Sequence, residues 1–116
     1  MPTKFLRFSL PAGITCILAE GGLNNLVKRA NGGFMPVAIT KYMTIITPAH
    51  IPMTSSTHLN FLADIIRIHS QVFSIGDLAG YAGLLLVWVG LGWWGIIVAR
   101  SLITRIYSKY NIDNFI

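Results

Sequence analysis

Residues 78–99 read LAGYAGLLLVWVGLGWWGIIVA and contain no charged side chain; Arg100 follows directly. A helix of this length is roughly 33 Å long, and the hydrocarbon core of a bilayer is roughly 30 Å thick. A soluble domain of 116 residues has no interior that could surround such a helix on all sides. The stretch therefore predicts a transmembrane helix, which we place at about 75–104.

The composition of the chain is typical of a membrane protein. It is 53% hydrophobic and 11% charged, whereas soluble domains contain about 25% charged residues. A net charge of +5 would suggest a nucleic-acid partner in a soluble protein. We expect none here, because the basic residues flank the apolar segments, as cations that anchor helix ends at anionic headgroups do. These cations are Lys4, Arg7, Lys28, Arg29, Arg67, Arg100, Arg105 and Lys109.

A second, weaker apolar segment covers residues 5–27, where Pro11, Glu20 and a pair of asparagines interrupt it. Three interpretations are open: a membrane helix with its polar side chains toward a partner helix, a cleaved signal or lipoprotein segment, and an interfacial amphipathic helix. We favour the membrane helix, at about 5–29. No small-residue cleavage site follows cleanly, and the residues before Cys16 fit a lipoprotein site poorly.

Cap signals mark the ends of both helices. Lys28 and Arg29 place cations at the C-terminal turn of the first helix, where the helix dipole favours them. The sequence Asn-Gly-Gly at 31–33 then predicts its end, because these residues tolerate positive φ. Ser74 and Asp77 have the spacing of a capping box, which predicts the start of the second helix.

The linker at about 30–73 contains three prolines and a Thr/Ser cluster, which exclude one long helix. Its segment 59–68 is apolar enough for a short interfacial helix or a re-entrant turn. The predicted fold is thus one all-α membrane domain, 1–116, with two transmembrane helices, a long and partly ordered interfacial linker, and a short tail at 105–116. The terminal side carries five cations and the linker four, which favours the inner (cytoplasmic) membrane with cytoplasmic termini.

Four glycines of the second helix share one face, since they follow one another at steps of four, three and seven. Close backbone approach along small residues is a main route to helix packing in lipid, so this face predicts a groove for a helix, a lipid or a pigment tail. The alternative is that glycine is simply common in membrane helices. Whether the occupant is the chain's own first helix or another subunit stays open. The four residues are Gly76, Gly80, Gly83 and Gly90.

Trp93 and Trp94 lie near Arg100, as expected of an aromatic belt, while Trp88 lies nearer the middle of the span. All three are candidates for contact with lipid, quinone, (bacterio)chlorophyll or carotenoid held by neighbouring subunits. Glu20 is the ionisable residue most suited to membrane depth, and we expect it to pair with Asn24 or to reach the interface.

Catalytic and metal motifs are absent from the sequence. His50, His58 and His69 follow no standard ligand spacing, and there is no nucleophile elbow, phosphate loop or carboxylate pair. We therefore expect no enzyme activity, no metal site and no intrinsic cofactor.

Two segments carry a family resemblance. Residues 23–27 (LNNLV) run into 30–37 (ANGGFMPV), and residues 62–66 (LADII) precede 72–77 (VFSIGD). In order and spacing, over roughly 15–100, the chain resembles the uncharacterised bacterial integral membrane family "domain of unknown function 5317". The resemblance implies a membrane location and no particular chemistry. The motif positions are Asn31, Gly32, Gly33, Met35, Pro36, Asp64, Ser74, Gly76 and Asp77.

This chain departs from the family in two ways. Family members usually carry more membrane helices before the first signature, so the chain corresponds to their C-terminal half. Lys28 and Arg29 also stand where the family is usually apolar.

These observations favour a non-catalytic accessory or assembly subunit of a larger integral membrane complex, whose partners are other membrane subunits and lipids. Energy-transducing complexes, photosynthetic or respiratory, are the expected hosts by analogy. The alternative is a homo-oligomeric small transporter or channel component, for which Glu20, Asn24 and Asn25 would line the pathway.

Overall fold

The computed structural model describes residues 2–39 and 47–110, and its main feature is an antiparallel pair of helices. Helix α1 covers Pro2–Ala30 and helix α2 covers Ile75–Tyr110. Ser9 of α1 lies against Gly90, and Asn24, four turns later, lies against Gly76. The two helices therefore form a hairpin, with the linker at its closed end and the start of α1 and the end of α2 toward its open end.

Glycine makes the close approach of the helices possible. A Cβ atom at Gly83 would lie 2.6 Å from the carbonyl oxygen of Gly13, and one at Gly13 would lie 2.8 Å from the carbonyl oxygen of Gly83. The four glycines of α2 that the sequence places on one face are all buried. The groove that they form is occupied by the chain's own first helix.

The described parts of the linker, 31–39 and 47–74, contain four short strands in two small sheets: β1 (Met35–Val37), β2 (His50–Pro52), β3 (Ile66–Ile68) and β4 (Gln71–Phe73). Strands β1 and β2 pair in parallel, and an isolated parallel bridge joins Val37 to Asp64. Strands β3 and β4 form an antiparallel hairpin that leads into α2.

The predicted interfacial helix at 59–68 is wrong. In this segment the structure has a single 3₁₀ turn at Asn60–Leu62. Leu59, which precedes the turn, lies in the left-handed region (φ 56°), and Ala63, which follows it, is extended. The isoleucines in the rest of this segment favour a strand over a helix, because β-branched side chains pack well on a pleated surface. The described residues therefore form two helices and two small sheets, so the predicted all-α class is confirmed for the helices but omits the sheets.

A small apolar core lies beneath the closed end of the hairpin. Val27, Met35 and Ala63 are buried there, and each comes from a different part of the chain: the last turns of α1, strand β1 and the segment after the 3₁₀ turn. Three partly buried side chains of the linker surround them. They are Met53, Leu59 and Leu62.

Helix α2 extends to Tyr110, beyond the predicted boundary near 104. The rest of the predicted tail, 111–116, lies outside the described residues. Among the described helices, α2 alone is long and apolar enough to cross a membrane by length and composition, with a mean hydropathy of 2.0 over its best 18-residue window. Helix α1 does not meet that criterion, so a second span stays a prediction.

Candidate functional site

Polar side chains collect at the closed end of the hairpin, where α1 ends, α2 begins and the linker strands meet. We call this group the polar junction, and it consists of Asn24, His50, Asp64, Ser74 and Asp77. Its members come from both helices and from two separate parts of the linker. The junction therefore brings the end of α1 and the start of α2 together with strand β2 and Asp64.

Ser74 and Asp77 form the predicted capping box of α2. The Asp77 backbone N–H donates to Ser74 Oγ at 3.0 Å, and the Ser74 N–H donates to Asp77 Oδ2 at 2.8 Å. The two contacts satisfy backbone donors that a helix start otherwise leaves unpaired. This prediction is confirmed.

Asn24 of α1 binds both members of that box. Its amide nitrogen donates to Asp77 Oδ1 at 2.9 Å, and Ser74 Oγ donates to its amide oxygen at 2.9 Å. Since Ser74 is fully buried, these bonds are shielded from competition by water. The Asn24 amide is thus used at the start of α2, whereas Glu20, its predicted partner, lies with its carboxylate against Gly80.

His50 and Asp64 connect the strands of the linker. His50 Nε2 lies 3.1 Å from Asp64 Oδ2, and the other ring nitrogen contacts the Thr47 hydroxyl. The Asp64 backbone bonds to the residues on either side of Val37, donating to the Pro36 carbonyl oxygen at 3.1 Å and accepting from the Ala38 N–H at 2.9 Å. The contact between His50 and Asp64 therefore connects strand β2 to the residue that bridges to β1.

Burial raises the pKa of the Asp64 carboxyl above its ordinary value, and the Asp77 carboxylate raises it further. His50 and Lys28 act in the opposite direction but do not cancel the increase. The physical cause is that a carboxylate loses hydration when buried, which favours its neutral form. Asp64 is only 6% exposed.

Asn31 holds the linker to the end of α1. Its amide nitrogen donates to the carbonyl oxygens of Val27 and His58, each at 2.8 Å, and its amide oxygen accepts from the His58 N–H at 2.8 Å. Gly32 and Gly33 follow with φ of 67° and 96°, a conformation that glycine adopts readily. The Asn-Gly-Gly sequence thus ends α1, as predicted, and also anchors the loop around His58.

A small recess of about 110 Å³ opens at the junction, enough for a few water molecules. Its polar lining combines one ammonium group, one imidazole and two carboxylates, and the junction members bond chiefly to one another. Among the described residues, no group of three or more His, Cys, Asp or Glu could hold a metal ion. The side-chain bonds of the junction connect α1 to the start of α2 and strand β2 to Asp64. The recess is lined by Asn24, Lys28, Met35, Ala49, His50, Asp64 and Asp77.

The structure brings all nine motif positions to the closed end of the hairpin. Asn31, Gly32 and Gly33 end α1, the buried residues Met35 and Pro36 lie in β1, Asp64 bridges to β1, and Ser74, Gly76 and Asp77 begin α2. Gly80, Gly83 and Gly90 continue along the α1 contact. The tryptophans lie elsewhere, on the exposed surface of α2: Trp88, Trp93 and Trp94.

Sequence reasoning missed two roles in this site. His50 had no ligand-like spacing, and its contact with Asp64 depends on the register of β1, which pairs Met35 with His50 and bridges Val37 to Asp64. For Asn24, the predicted partner was Glu20, one turn away on the same helix. The sequence shows an asparagine near the end of α1 and a capping box at the start of α2. Their contact could not be predicted, because it depends on the pairing of the two helices.

The fold and the junction define a helical hairpin that contains one helix of membrane-spanning length. The chain matches the family of unknown function DUF5317 over residues 5–89, which is 85 of its 116 residues, and it belongs to that family. The resemblance inferred from the two motifs is thus confirmed. No curated protein and no solved structure matches the chain.

Proposed function

We propose that this chain is a membrane-embedded accessory subunit, without catalytic activity, that assembles with other integral membrane proteins. The observation that carries the proposal is the exposed apolar surface of α2. Only 11% of its most apolar 18-residue window is buried, and Leu85 and Trp88 are 65% and 72% exposed. The core helix of a soluble protein would be mostly buried, and in water such a surface would promote aggregation.

The helix pairing supports a second span. Contact between α1 and α2 runs from Ser9 and Gly90 to Asn24 and Gly76. If α2 crosses a bilayer through residues 78–99, much of α1 therefore lies beside it at the same depths. The hairpin explains how an ionisable residue such as Glu20 can lie at membrane depth, because its carboxylate faces Gly80 between the helices rather than lipid.

The charge distribution supports one orientation. Five cations belong to the open end of the hairpin, where α1 begins and α2 ends, and this favours cytoplasmic termini in the inner membrane. The polar junction is then on the opposite side. The five cations are Lys4, Arg7, Arg100, Arg105 and Lys109.

The proposed role is structural because the polar side chains of the junction bond chiefly to one another and hold the hairpin closed. The exposed tryptophans would contact lipid or the hydrophobic cofactors of neighbouring subunits. Energy-transducing complexes are the expected hosts by analogy with their many small helical subunits. The alternative, a small transporter or channel, would need Glu20, Asn24 and Asn25 to line a pathway. The accessory role is favoured over it because the Asn24 amide is bonded at the start of α2 and the Glu20 carboxylate lies against Gly80.

Membrane extraction followed by native electrophoresis tests this proposal. We expect the full chain to remain in the membrane during alkaline carbonate washing, which releases peripheral proteins, and to migrate in a larger complex after mild solubilisation. Release by carbonate would contradict the membrane location. Migration only as a free species of 12.8 kDa, or as a small homo-oligomer, would contradict the accessory role.

A further inference from the structure

The side of α2 that packs on α1 continues beyond the start of α1. Gly83, Gly90 and Thr104 lie on nearly the same side of this helix, because seven residues make almost two full turns. Since Ser9 lies against Gly90, α1, which begins at Pro2, reaches only to about position 97 of α2. In the last turns of α2, α1 therefore leaves this side uncovered.

A polar recess of about 500 Å³ lies on the uncovered side. It combines two cationic side chains with three hydroxyl groups, all from exposed residues. Of the hydroxyls, that of Thr104 donates to a carbonyl oxygen of its own helix. The hydroxyls of Ser101 and Ser108 and the Arg105 guanidinium have no hydrogen-bond partner among the described residues, so they are available to a ligand. We call this group the basic recess, and it consists of Ser101, Thr104, Arg105, Ser108 and Lys109.

The cations at this end of the hairpin have no described acidic residue to balance them. Residues 2–19 and 78–110 contain no Asp or Glu, while Asp64 and Asp77 belong to the polar junction at the other end. The positive end of the α1 helix dipole also points toward the basic recess, because α1 begins just short of it along the antiparallel pair. Side chains and helix dipole would therefore both attract a bound anion.

The basic recess lies at the depth of lipid headgroups. Residues 78–99 match the roughly 30 Å hydrocarbon core, and each headgroup layer is about 5–8 Å thick. Ser101 lies about 3 Å beyond residue 99, and Arg105 lies about 9 Å beyond it. Side chains of a helix lean toward its N-terminus, so the cations at 105 and 109 reach back toward the bilayer. The polar groups of the recess therefore converge on the layer that contains lipid phosphates.

A partner helix does not fit this side of α2. Within the bilayer the same side is covered by α1, through Gly90 and the other buried glycines, so a helix that crosses the membrane could not continue along it. A lipid headgroup can enter, because it lies at this level and needs no room along the span. Arginine and hydroxyl groups donate well to phosphate oxygens, and a headgroup with net negative charge matches the two cations.

We propose that the basic recess binds the phosphate headgroup of an anionic phospholipid in the cytoplasmic leaflet. Arg105 and Lys109 hold the negative charge, and Ser101 and Ser108 donate to the phosphate oxygens. The inference rests on the proposed membrane location and orientation, and it adds a lipid of stated charge to the partners of the accessory subunit. The recess lies beyond residue 89, where the match to the family ends, so the family match does not cover this site.

Lipid titration of the full chain in detergent, followed by native mass spectrometry, tests the site. We expect the chain to retain one molecule of phosphatidylglycerol in preference to phosphatidylcholine, whose choline group offsets the phosphate charge. Inorganic phosphate at the same concentration should not displace the lipid, because the micelle concentrates the lipid beside the recess. Displacement by inorganic phosphate would identify a site for soluble phosphate and contradict the proposal.

Neutralising the two cations tests their role. Arg105→Gln with Lys109→Gln should lower the apparent affinity for phosphatidylglycerol about twenty-fold and remove the preference over phosphatidylcholine, because each cation contributes roughly a factor of five near an anionic surface. The matched control, Lys4→Gln with Arg7→Gln, also removes one lysine and one arginine, from α1 at the same end of the hairpin. It should leave the affinity nearly unchanged.

Removing the hydroxyls distinguishes a defined site from diffuse charge attraction. Ser101→Ala with Ser108→Ala keeps every charge and should still lower the affinity about five-fold, because hydrogen bonds to a charged group are lost. The control, Ser55→Ala with Ser70→Ala, removes two exposed hydroxyls from the linker at the other end of the hairpin and should have no effect.

Photocrosslinking in the native membrane tests the kind of occupant. The variant Ser108→p-benzoylphenylalanine should capture lipid, and capture of a protein instead would overturn the proposal. Three results of the titration would also overturn it: equal retention of the two lipids, equal loss of affinity in the two cation variants, and an unchanged affinity without the hydroxyls.

Failure of this site and failure of the accessory role can be told apart. If the chain migrates in a larger complex but shows no preference for phosphatidylglycerol, the lipid site is wrong and the accessory role stands. If the preference is present but the chain migrates alone, the lipid site stands and the accessory role is wrong. Release of the chain by carbonate would contradict both.

Discussion

At the scale of single residues, the hairpin depends on glycines that face backbone rather than flexible side chains. Gly83 and Gly13 lie opposite each other, and either Cβ would come within 3 Å of the other's carbonyl oxygen. A backbone atom cannot rotate away, so the helices themselves would have to separate. Gly22, by contrast, has open space around its Cβ position.

Gly83→Ala should therefore destabilise the helix pair by about 1–3 kcal/mol, the range measured for overpacked interiors. The measurement is the unfolding free energy of the full chain in detergent micelles. Gly22→Ala is the matched control and should be neutral or slightly stabilising, because alanine favours a helix by up to about 1 kcal/mol over glycine. Equal effects of the two substitutions would contradict the close backbone contact.

Asp64 should give the protein a characteristic dependence of stability on pH. Its pKa in the folded state is raised above the ordinary 3.8 by burial and by Asp77. At pH values between the ordinary pKa and the raised pKa of the folded state, the folded protein binds more protons than the unfolded one. The free energy of unfolding therefore falls as pH rises through this window.

The variant Asp64→Asn keeps an oxygen that can accept from His50 but cannot ionise. Unfolding followed from about pH 3.8 upward should therefore lose that slope in the variant and retain it in the natural sequence. An unchanged slope in Asp64→Asn would show that the buried carboxyl is not its source.

At the scale of elements, the start of α2 is bonded to α1 through Ser74, which is both helix cap and partner of Asn24. Ser74→Ala should lower the unfolding free energy by about 1–3 kcal/mol, because a cap is lost and buried polar groups are left without a partner. Ser70→Ala, at an exposed position of the β3–β4 turn, should change it little. A double-mutant cycle with Asn24→Ala should show coupling of at least about 0.5 kcal/mol; additive effects would contradict a shared network.

The loop around His58 should be ordered by Asn31. Asn31→Ala removes three side-chain hydrogen bonds, each worth about 1 kcal/mol. Faster amide hydrogen exchange at 54–62 is expected, without change in the middle of α2. Asn25→Ala, at an exposed position on α1, is the control. Unchanged exchange in Asn31→Ala would mean that other contacts hold the loop.

The two helices, the end of α1 and the start of α2 could be predicted from sequence because their signals are local. Ser74, Asp77, Gly32 and Gly33 act through neighbours within a few residues. The linker strands could not be predicted, since three-residue strands are too short for a periodic pattern and β1 pairs with a strand thirteen residues away. The contact between His50 and Asp64 depends on that pairing, so it could not be predicted from the sequence either.

The glycine face illustrates a partial prediction. Gly76, Gly80, Gly83 and Gly90 fall on one side of α2 by spacing alone, but spacing does not say which helix covers them. The polar positions of α1, above all Asn24, decide this, because their partners lie at the start of α2.

At the scale of the whole molecule, the hairpin has two unlike ends and two unlike sides. The closed end holds the polar junction and the small core, while the open end carries five cations. One side of α2 is occupied by α1, and the other is exposed and apolar. This asymmetry suits a subunit fixed in one orientation in a bilayer, with one face left for a neighbour.

Tryptophan fluorescence offers the most direct test that lipid surrounds α2, because all three tryptophans lie in this helix. In the variant Trp93→Phe with Trp94→Phe, the remaining Trp88 reports on the middle of the predicted span. Reconstituted into vesicles, it should be quenched most by lipids brominated deep in the acyl chain and little by aqueous iodide. Strong quenching by iodide, with no effect of brominated lipids, would contradict the membrane-spanning helix on which the account rests.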